Sequence, residues 1–269
     1  MRRAALTIMG YDPRDRTVFI TGASGGIGRA CAVAFHRAGA QVFANARSVD
    51  RLQSLVDELG DDRIAFHPLD ATDPAQRVAA IRRCRERFGL IDVLINNAGW
   101  AAFGTTHRIP LEHVDRMLAL NLVAPIALIR EVLPAMLERG TGQIINISSV
   151  VGNQAIPRMS IYSATKAALT SLSTGLRMEL RGTGVDVICI APGSTRTAFF
   201  DSAAIVDAKA TRIAQTQYSA ERVAQAVVRA SRRRSPEVVL SVEGKLISLI
   251  RRCSHRLADA IMFRVAKRA

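Results

Sequence analysis

The sequence predicts an α/β fold in which a doubly wound, seven-stranded parallel sheet carries helices on both faces and ends in a C-terminal amphipathic helix. Two observations support this. Short β-branched or apolar runs alternate with longer helical patterns almost from end to end, the signature of βα units around a sheet covered on both sides. No Pro/Gly/Ser-rich linker divides the 269 residues, so one main domain is expected, over 15–242.

The elements follow in order. Residues 1–14 open with a basic pair and a short apolar run that is broken by charge and lacks a clean cleavage site, and are expected to form a disordered or loosely packed extension. Strands are placed at "TVFIT" (17–21), "QVFANA" (41–46), "RIAFHP" (63–68), "IDVLINN" (91–97), "GQIINIS" (142–148), "VDVICIAP" (185–192) and "EVVLSV" (237–242). Helices fall near 26–38, 49–59, 74–88, 111–138, 160–182 and 219–233, with starts marked by Asp73-Pro74 and by Ser219 before Glu221. Right-handed crossovers between parallel neighbours make the sheet Rossmann-like and put any ligand at the carboxyl ends of the strands.

Composition sets bounds on the function. Cys31, Cys84, Cys189 and Cys253 show no CxxC pairing, so neither a zinc site nor a disulfide framework is indicated and a reducing, cytoplasmic compartment is expected. The net charge of +14 has two readings, attraction to a polyanion or an arginine-rich coding bias. Lysine occurs at only four positions, Lys166, Lys209, Lys245 and Lys267, which favours the second. Nucleic acid is not an expected partner.

The first strand runs straight into "TGASGGIGRA". Glycines at 22, 26 and 28 permit a tight turn, let the backbone approach a pyrophosphate, and leave the helix N-terminus facing the phosphates. A turn with no ligand is the alternative. A carboxylate about 20 residues past the glycines would meet a free ribose 2′-OH, whereas a 2′-phosphate calls for arginine. Ala46 stands there, followed by Arg47, with Arg51 one turn on, so NADP(H) is favoured over NAD(H).

Tyr162 and Lys166 lie four residues apart and share a helix face. An adjacent ammonium favours a phenolate and would bring tyrosine toward neutral titration. By spacing alone such a pair is usually just the surface of an amphipathic helix. Ser149, just past "INIS", can supply a second donor to the oxygen that the tyrosine protonates, and Ser148 is the rival for that role.

Taken together, "TGASGGIG", "NNAG" (96–99), Asn121 in "LALNL", Ser149, "YSATK" (162–166) and "PGSTRT" (192–197) resemble the motif series of the classical short-chain dehydrogenase/reductase family, in its order and spacing, over 15–242. The resemblance implies that Tyr162 is the general acid/base, that Lys166 lowers its pKa and binds the nicotinamide ribose, and that Ser149 holds the substrate oxygen. Asn121 would bend its helix and hold a water beside the lysine. Cofactor contacts would come from Gly22, Ser24, Gly26, Ile27 and Gly28 in the turn, from Arg47, and from Asp70 at the adenine. Asn97, Ala98 and Gly99, with Pro192, Gly193, Thr195 and Thr197, would complete the cofactor site, together with Tyr162 and Lys166. The implied activity is NADP(H)-dependent interconversion of a carbonyl and a secondary alcohol on a small-molecule substrate, with no metal. Relatives commonly dimerise through the helices matching 111–138 and 160–182, so a homodimer is expected.

Phe199, Phe200, Ile205, Val206 and Ile213, with Trp100 and Phe103 on the other side, suggest a largely apolar pocket, and are equally compatible with core packing. After the seventh strand, residues 243–269 repeat Leu246, Leu249, Ile250, Cys253, Leu257, Ala260 and Ile261 at helical spacing between arginines, a basic amphipathic helix too charged to span a bilayer. Packing or subunit contact, peripheral attachment to an anionic membrane through 245–269, and nucleic-acid contact are its three open uses. The competing functional class is a basic scaffold that binds membrane or polyanion with little catalysis.

Overall fold

A computed structural model describes residues 10–60, 62–200, 202–206 and 218–268. Along the chain run β1 (Thr17–Thr21), α1 (Gly26–Arg37), β2 (Gln41–Ala46), α2 (Val49–Leu59), β3 (Ile64–Pro68), α3 (Pro74–Phe88), β4 (Val93–Asn96) and the two-residue β5 (Ala102–Phe103). Next come α4 (Leu111–Leu118), a π-turn (Ala119–Val123), α5 (Ala124–Arg139), β6 (Gly142–Ile147), α6 (Val150–Asn153), α7 (Ser160–Glu179) and β7 (Val185–Ala191). The chain closes with β8 (Thr195–Arg196), β9 (Ala204–Ile205), β10 (Tyr218–Ser219), α8 (Ala220–Arg233), β11 (Glu237–Val239), α9 (Val242–Cys253) and α10 (His255–Arg268).

Seven strands form one parallel sheet in the order β11-β7-β6-β4-β1-β2-β3. Strand order reverses at β1, which lies between β4 and β2, so a crevice opens at the carboxyl ends of β1 and β4. β1 is buried on both faces. Val18 and Ile20 enter a layer with Phe35, Leu52, Leu55, Val223 and Val227 from α1, α2 and α8. Phe19 enters the opposite layer with Phe43, Leu128, Val132, Met136 and Leu176. Each such side chain contributes about 1.5–3 kcal/mol by leaving water, so the sheet is held from both sides.

Local chemistry sets the helix ends. Asp73 accepts from Ala75 N at 2.8 Å and Gln76 N at 3.2 Å ahead of Pro74, and Ser219 accepts from Arg222 N at 3.2 Å at the start of α8. α5 stops at Gly140, whose φ of 66° is left-handed. Among the described residues, the helical run Leu111–Arg139 is the one long and apolar enough to cross a membrane, and its Leu128, Val132 and Met136 lie in the core.

Four expectations change. Residues 10–14 are not loose: Tyr11 is buried in the core, its N–H donates to Arg232 O at 2.9 Å, and the Arg16 and Arg234 guanidiniums lie 5.8 and 6.0 Å from its ring centroid. Residues 1–9 lie outside the described residues. The seventh strand ends at Val239 rather than 242, because Ser241 caps α9 by accepting from Gly244 N at 2.8 Å. The tail is two helices, with Ser254 extended between them at φ −157° and ψ 109°, which a single helical pattern does not show. The helix expected over 111–138 contains a π-turn at 119–123.

Candidate active site

All motif residues gather at the carboxyl edge of the sheet. Directly after β1, Gly22 and Gly26 adopt positive φ of 69° and 53°, which L side chains resist. A Cβ on Gly28 would run into the Gly22 carbonyl and the Asn97 amide, so α1 starts hard against the turn. No side chain caps α1, and no acid stands in its first turn. Its N–H groups and positive dipole end are left for an anion, and the cradle therefore fits a dinucleotide pyrophosphate.

Thr21, which the motif contains but to which no role was assigned, ties this turn to the end of β4. Its Oγ1 donates to Ile95 O at 3.3 Å and accepts from Asn97 N and Ala98 N, both at 3.0 Å. The Asn97 amide donates to Thr21 O at 2.9 Å and Gly22 O at 3.2 Å. Asn97 thus shapes the cradle by bonding its backbone. Thr197 covers Gly26 at 3.1 Å from where a Cβ would stand, whereas Thr195 is buried with its hydroxyl donating to Gly193 O at 3.0 Å. The Pro192 carbonyl accepts from Val150 N at 3.0 Å, which links the turn after β7 to α6.

Arg47 is exposed at the end of β2. The field of its guanidinium and the two Thr72 hydrogen bonds to Oδ1, at 2.9 and 2.7 Å, hold the Asp70 carboxyl below its ordinary value against the opposing effect of burial, the largest single influence. Arg29 is tied to Glu58 at 2.6 Å. Arg47 therefore presents a positive charge beside the β1–α1 turn.

Tyr162 and Lys166, on one face of α7, are 7% and 4% exposed. Lys166 Nζ donates to Ile147 O at 2.9 Å, lies 5.9 Å from the Tyr162 ring centroid, and is 3.6 Å from where a Cβ on Gly99 would sit. Gly99 thus lies directly against the ammonium. Burial pushes the lysine down from 10.5 to about 8.

The tyrosine departs from expectation. Burial raises its phenol above the ordinary 10, and a hydrogen bond with Ser149 works in the opposite direction. Lys166 Nζ turns to Ile147 O at 2.9 Å and is not among the groups that shift this phenol. The phenol is a protonated donor at neutral pH.

Ser149 and Ser148 separate by geometry. Ser148 Oγ donates to Lys166 O at 2.9 Å and meets Thr170 Oγ1 at 2.8 Å, so it anchors α7. Ser149, the N-cap of α6, is the serine that reaches Tyr162. Asn121 sits in the π-turn, where Ala124 N donates five residues back to Ala119 O. Its side chain accepts from Trp100 N at 2.9 Å and donates to Trp100 O at 2.9 Å and Thr165 Oγ1 at 3.1 Å. Asn121 thereby joins α7 to the segment after β4. A π-bulge displaces a carbonyl from the regular helical ladder, and here Asn121 Oδ1 and Lys166 Nζ both lie beside Gly99.

An aromatic cover closes over the tyrosine. Phe199 lies 5.8 Å and Phe103 6.3 Å from the Tyr162 ring, and Phe200 stacks on Phe103 at 5.8 Å. β5 and β9 pair, and Trp100 Nε1 donates to Ser202 O at 2.9 Å. Trp100, Phe103 and Phe199 thus pack with Tyr162 in one apolar cluster; Ile213 lies outside the described residues.

Comparison with known proteins gives the same assignment. Residues 16–206 match the family described as short chain dehydrogenase. An uncharacterized oxidoreductase of Staphylococcus aureus is 35% identical over 184 residues, 68% of this chain and 80% of the relative. A short-chain dehydrogenase from Streptomyces avermitilis superposes with a TM-score of 0.83 at 30% identity, over 94% of this chain and 97% of its own. One from Sphingobium yanoikuyae, solved with NADPH, gives 0.76 at 35% identity, over 91% and 96%. Another solved neighbour carries NAD. The chain belongs to the short-chain dehydrogenase/reductase family and is an NAD(P)-dependent oxidoreductase.

Proposed function

We propose that the protein reduces a carbonyl on an apolar ketone, acyl or ring substrate to a secondary alcohol, or runs the reverse oxidation, with NADP(H) preferred. The observation that supports this is the buried Tyr162, hydrogen-bonded to Ser149 and packed against the ring of Phe199. When bound at the glycine cradle, the nicotinamide dinucleotide supplies the hydride. Ser149 donates to the substrate oxygen, and the Tyr162 Oη proton passes to that oxygen as charge develops on it. Lys166, whose Nζ lies 5.9 Å from the Tyr162 ring centroid, adds positive charge beside the phenol and favours its deprotonated product. Asn121 fixes the helix behind it and completes a route for protons from solvent.

Arg47 and the neutral Ala46 support NADP(H), since a carboxylate at that place would repel a 2′-phosphate. The complex with NADPH is said of the Sphingobium relative and supports the same preference. Exposed Leu111, Leu118, Val123 and Leu137 on the 111–139 run, with Met178 on α7, support a homodimer through those helices. A cytoplasmic location is part of this reading. A catalytically idle scaffold is disfavoured: burying an ammonium costs stability, and a binding-only fold has no use for one beside a tyrosine. The test is a panel of apolar ketones and sugars assayed with NADPH and NADH side by side. NADPH-dependent turnover of apolar ketones is expected. Equal rates with NADH would overturn the cofactor preference, and turnover of sugars alone would overturn the substrate class.

A further inference from the structure

The two C-terminal helices turn an apolar stripe outward. In α9, Val242, Leu246, Leu249 and Cys253 recur at spacings of four, three and four, which places them on one helix face, and all four are exposed. The opposite face is the one that packs. Gly244 lies against Val150, whose Cγ1 would be 2.7 Å from an added Cβ, and Arg251 donates to the Asn153 carbonyl. α10 docks through the buried Ala258 and through Asp259, which accepts from Gln154 Nε2 at 3.4 Å. Leu257 and Phe263 are left 53% and 63% exposed. The stripe therefore stands away from the fold, with its packed side resting on the short helix that Ser149 caps.

The charge around this stripe is positive. Residues 242–269 hold two lysines and five arginines against Glu243 and Asp259, a net charge of +5, and Lys245, Arg256 and Arg264 are exposed on these helices. Exposed leucines flanked by cations on helices of 12 and 14 residues are the composition of helices that lie in a membrane interface; neither is long enough to span one. A second copy of this chain seated on the same stripe would set +5 against +5. Nucleic acid would satisfy the arginines and leave the leucines in water. An anionic bilayer satisfies both.

We propose that α9 and α10 dock the protein flat on an anionic phospholipid surface, with Val242, Leu246, Leu249, Leu257 and Phe263 entering the acyl boundary and the cations meeting the phosphates. The proposal rests on this surface and needs no catalytic activity. The test is co-sedimentation of the full chain with vesicles of phosphatidylcholine alone and of phosphatidylcholine with phosphatidylglycerol. Binding is expected to the mixed vesicles and to be at least about fivefold stronger than to phosphatidylcholine for each cation engaged. Leu246→Asp with Leu249→Asp should lower it about tenfold per leucine, while the exposed positions keep the melting temperature and NADPH binding of the parent. Three results would overturn the proposal: no binding to mixed vesicles, equal binding by the double variant, or a self-association in light scattering that the double variant abolishes while vesicle binding is absent.

Discussion

Replacing Lys166 with methionine should stabilise the cofactor-free protein near neutral pH and destabilise it in alkali. The lysine falls from 10.5 to about 8 because it is buried, and that difference corresponds to about 3 kcal/mol. The unfolded chain keeps its proton to higher pH than the folded one. The burial penalty is therefore fully present below about pH 8 and is relieved toward about pH 10.5, so wild-type stability rises through that window. Methionine removes the penalty but leaves Ile147 O without the 2.9 Å donor it now has, at a cost of about 1–3 kcal/mol. The variant should gain about 1 kcal/mol near pH 7, and its advantage should fall by about 2 kcal/mol by pH 9.5, reversing its sign. Urea denaturation followed by circular dichroism at both pH values measures the gap. A gap that does not change with pH would refute the reasoning, because the buried group would not then be a titrating ammonium.

Three further outcomes follow from the site. Gly28→Ala would force a methyl into the Gly22 carbonyl; a loss of NADPH binding by fluorescence titration, with about 1–3 kcal/mol of stability, is expected, and full binding would contradict the cradle. Arg47→Glu should raise KM for NADPH about tenfold or more and leave KM for NADH nearly unchanged; a parallel rise in both would contradict 2′-phosphate recognition. Ser149→Ala should lower kcat about a hundredfold, whereas Ser148→Ala, which loses the bonds to Lys166 O and Thr170, should lower the melting temperature through about 1 kcal/mol. The reverse pattern would exchange their roles.

The strands could be read because each is a short apolar run, and the expected and observed spans differ by at most three residues. Asp73-Pro74 and Ser219 marked helix starts because capping is chemistry local in sequence. What could not be read depends on distant partners. Tyr11 packs because the end of α8 comes to it, with the Arg232 carbonyl on its N–H and Arg234 beside its ring. β5 and β9 are two residues each and exist only through their pairing across about a hundred positions. Ser254 interrupts the tail where Leu257 and Leu249 still fit a continuous helical pattern.

At the candidate site, which residues would lie together was legible and their contacts were not. The YSATK spacing placed Tyr162 and Lys166 on one face, yet nothing local reveals that Ile147 O takes the ammonium or that Phe103 and Phe199 dry the phenol. Ser148 and Ser149 are adjacent hydroxyls in sequence, and only the position of α7 sends one to Lys166 O and the other to Tyr162. Thr21 was hidden for a similar reason: a threonine at a strand end is ordinary until β4 arrives beside it with two N–H groups.

The central claim is that Tyr162 delivers the proton. Single-turnover reduction of a carbonyl identified from the panel, by Tyr162→Phe saturated with NADPH, tests it most directly. Loss of the phenolic proton should slow the step about a hundredfold to ten-thousandfold while the dissociation constant for NADPH stays at the wild-type value. NADPH oxidation by that variant at the wild-type rate would contradict the account.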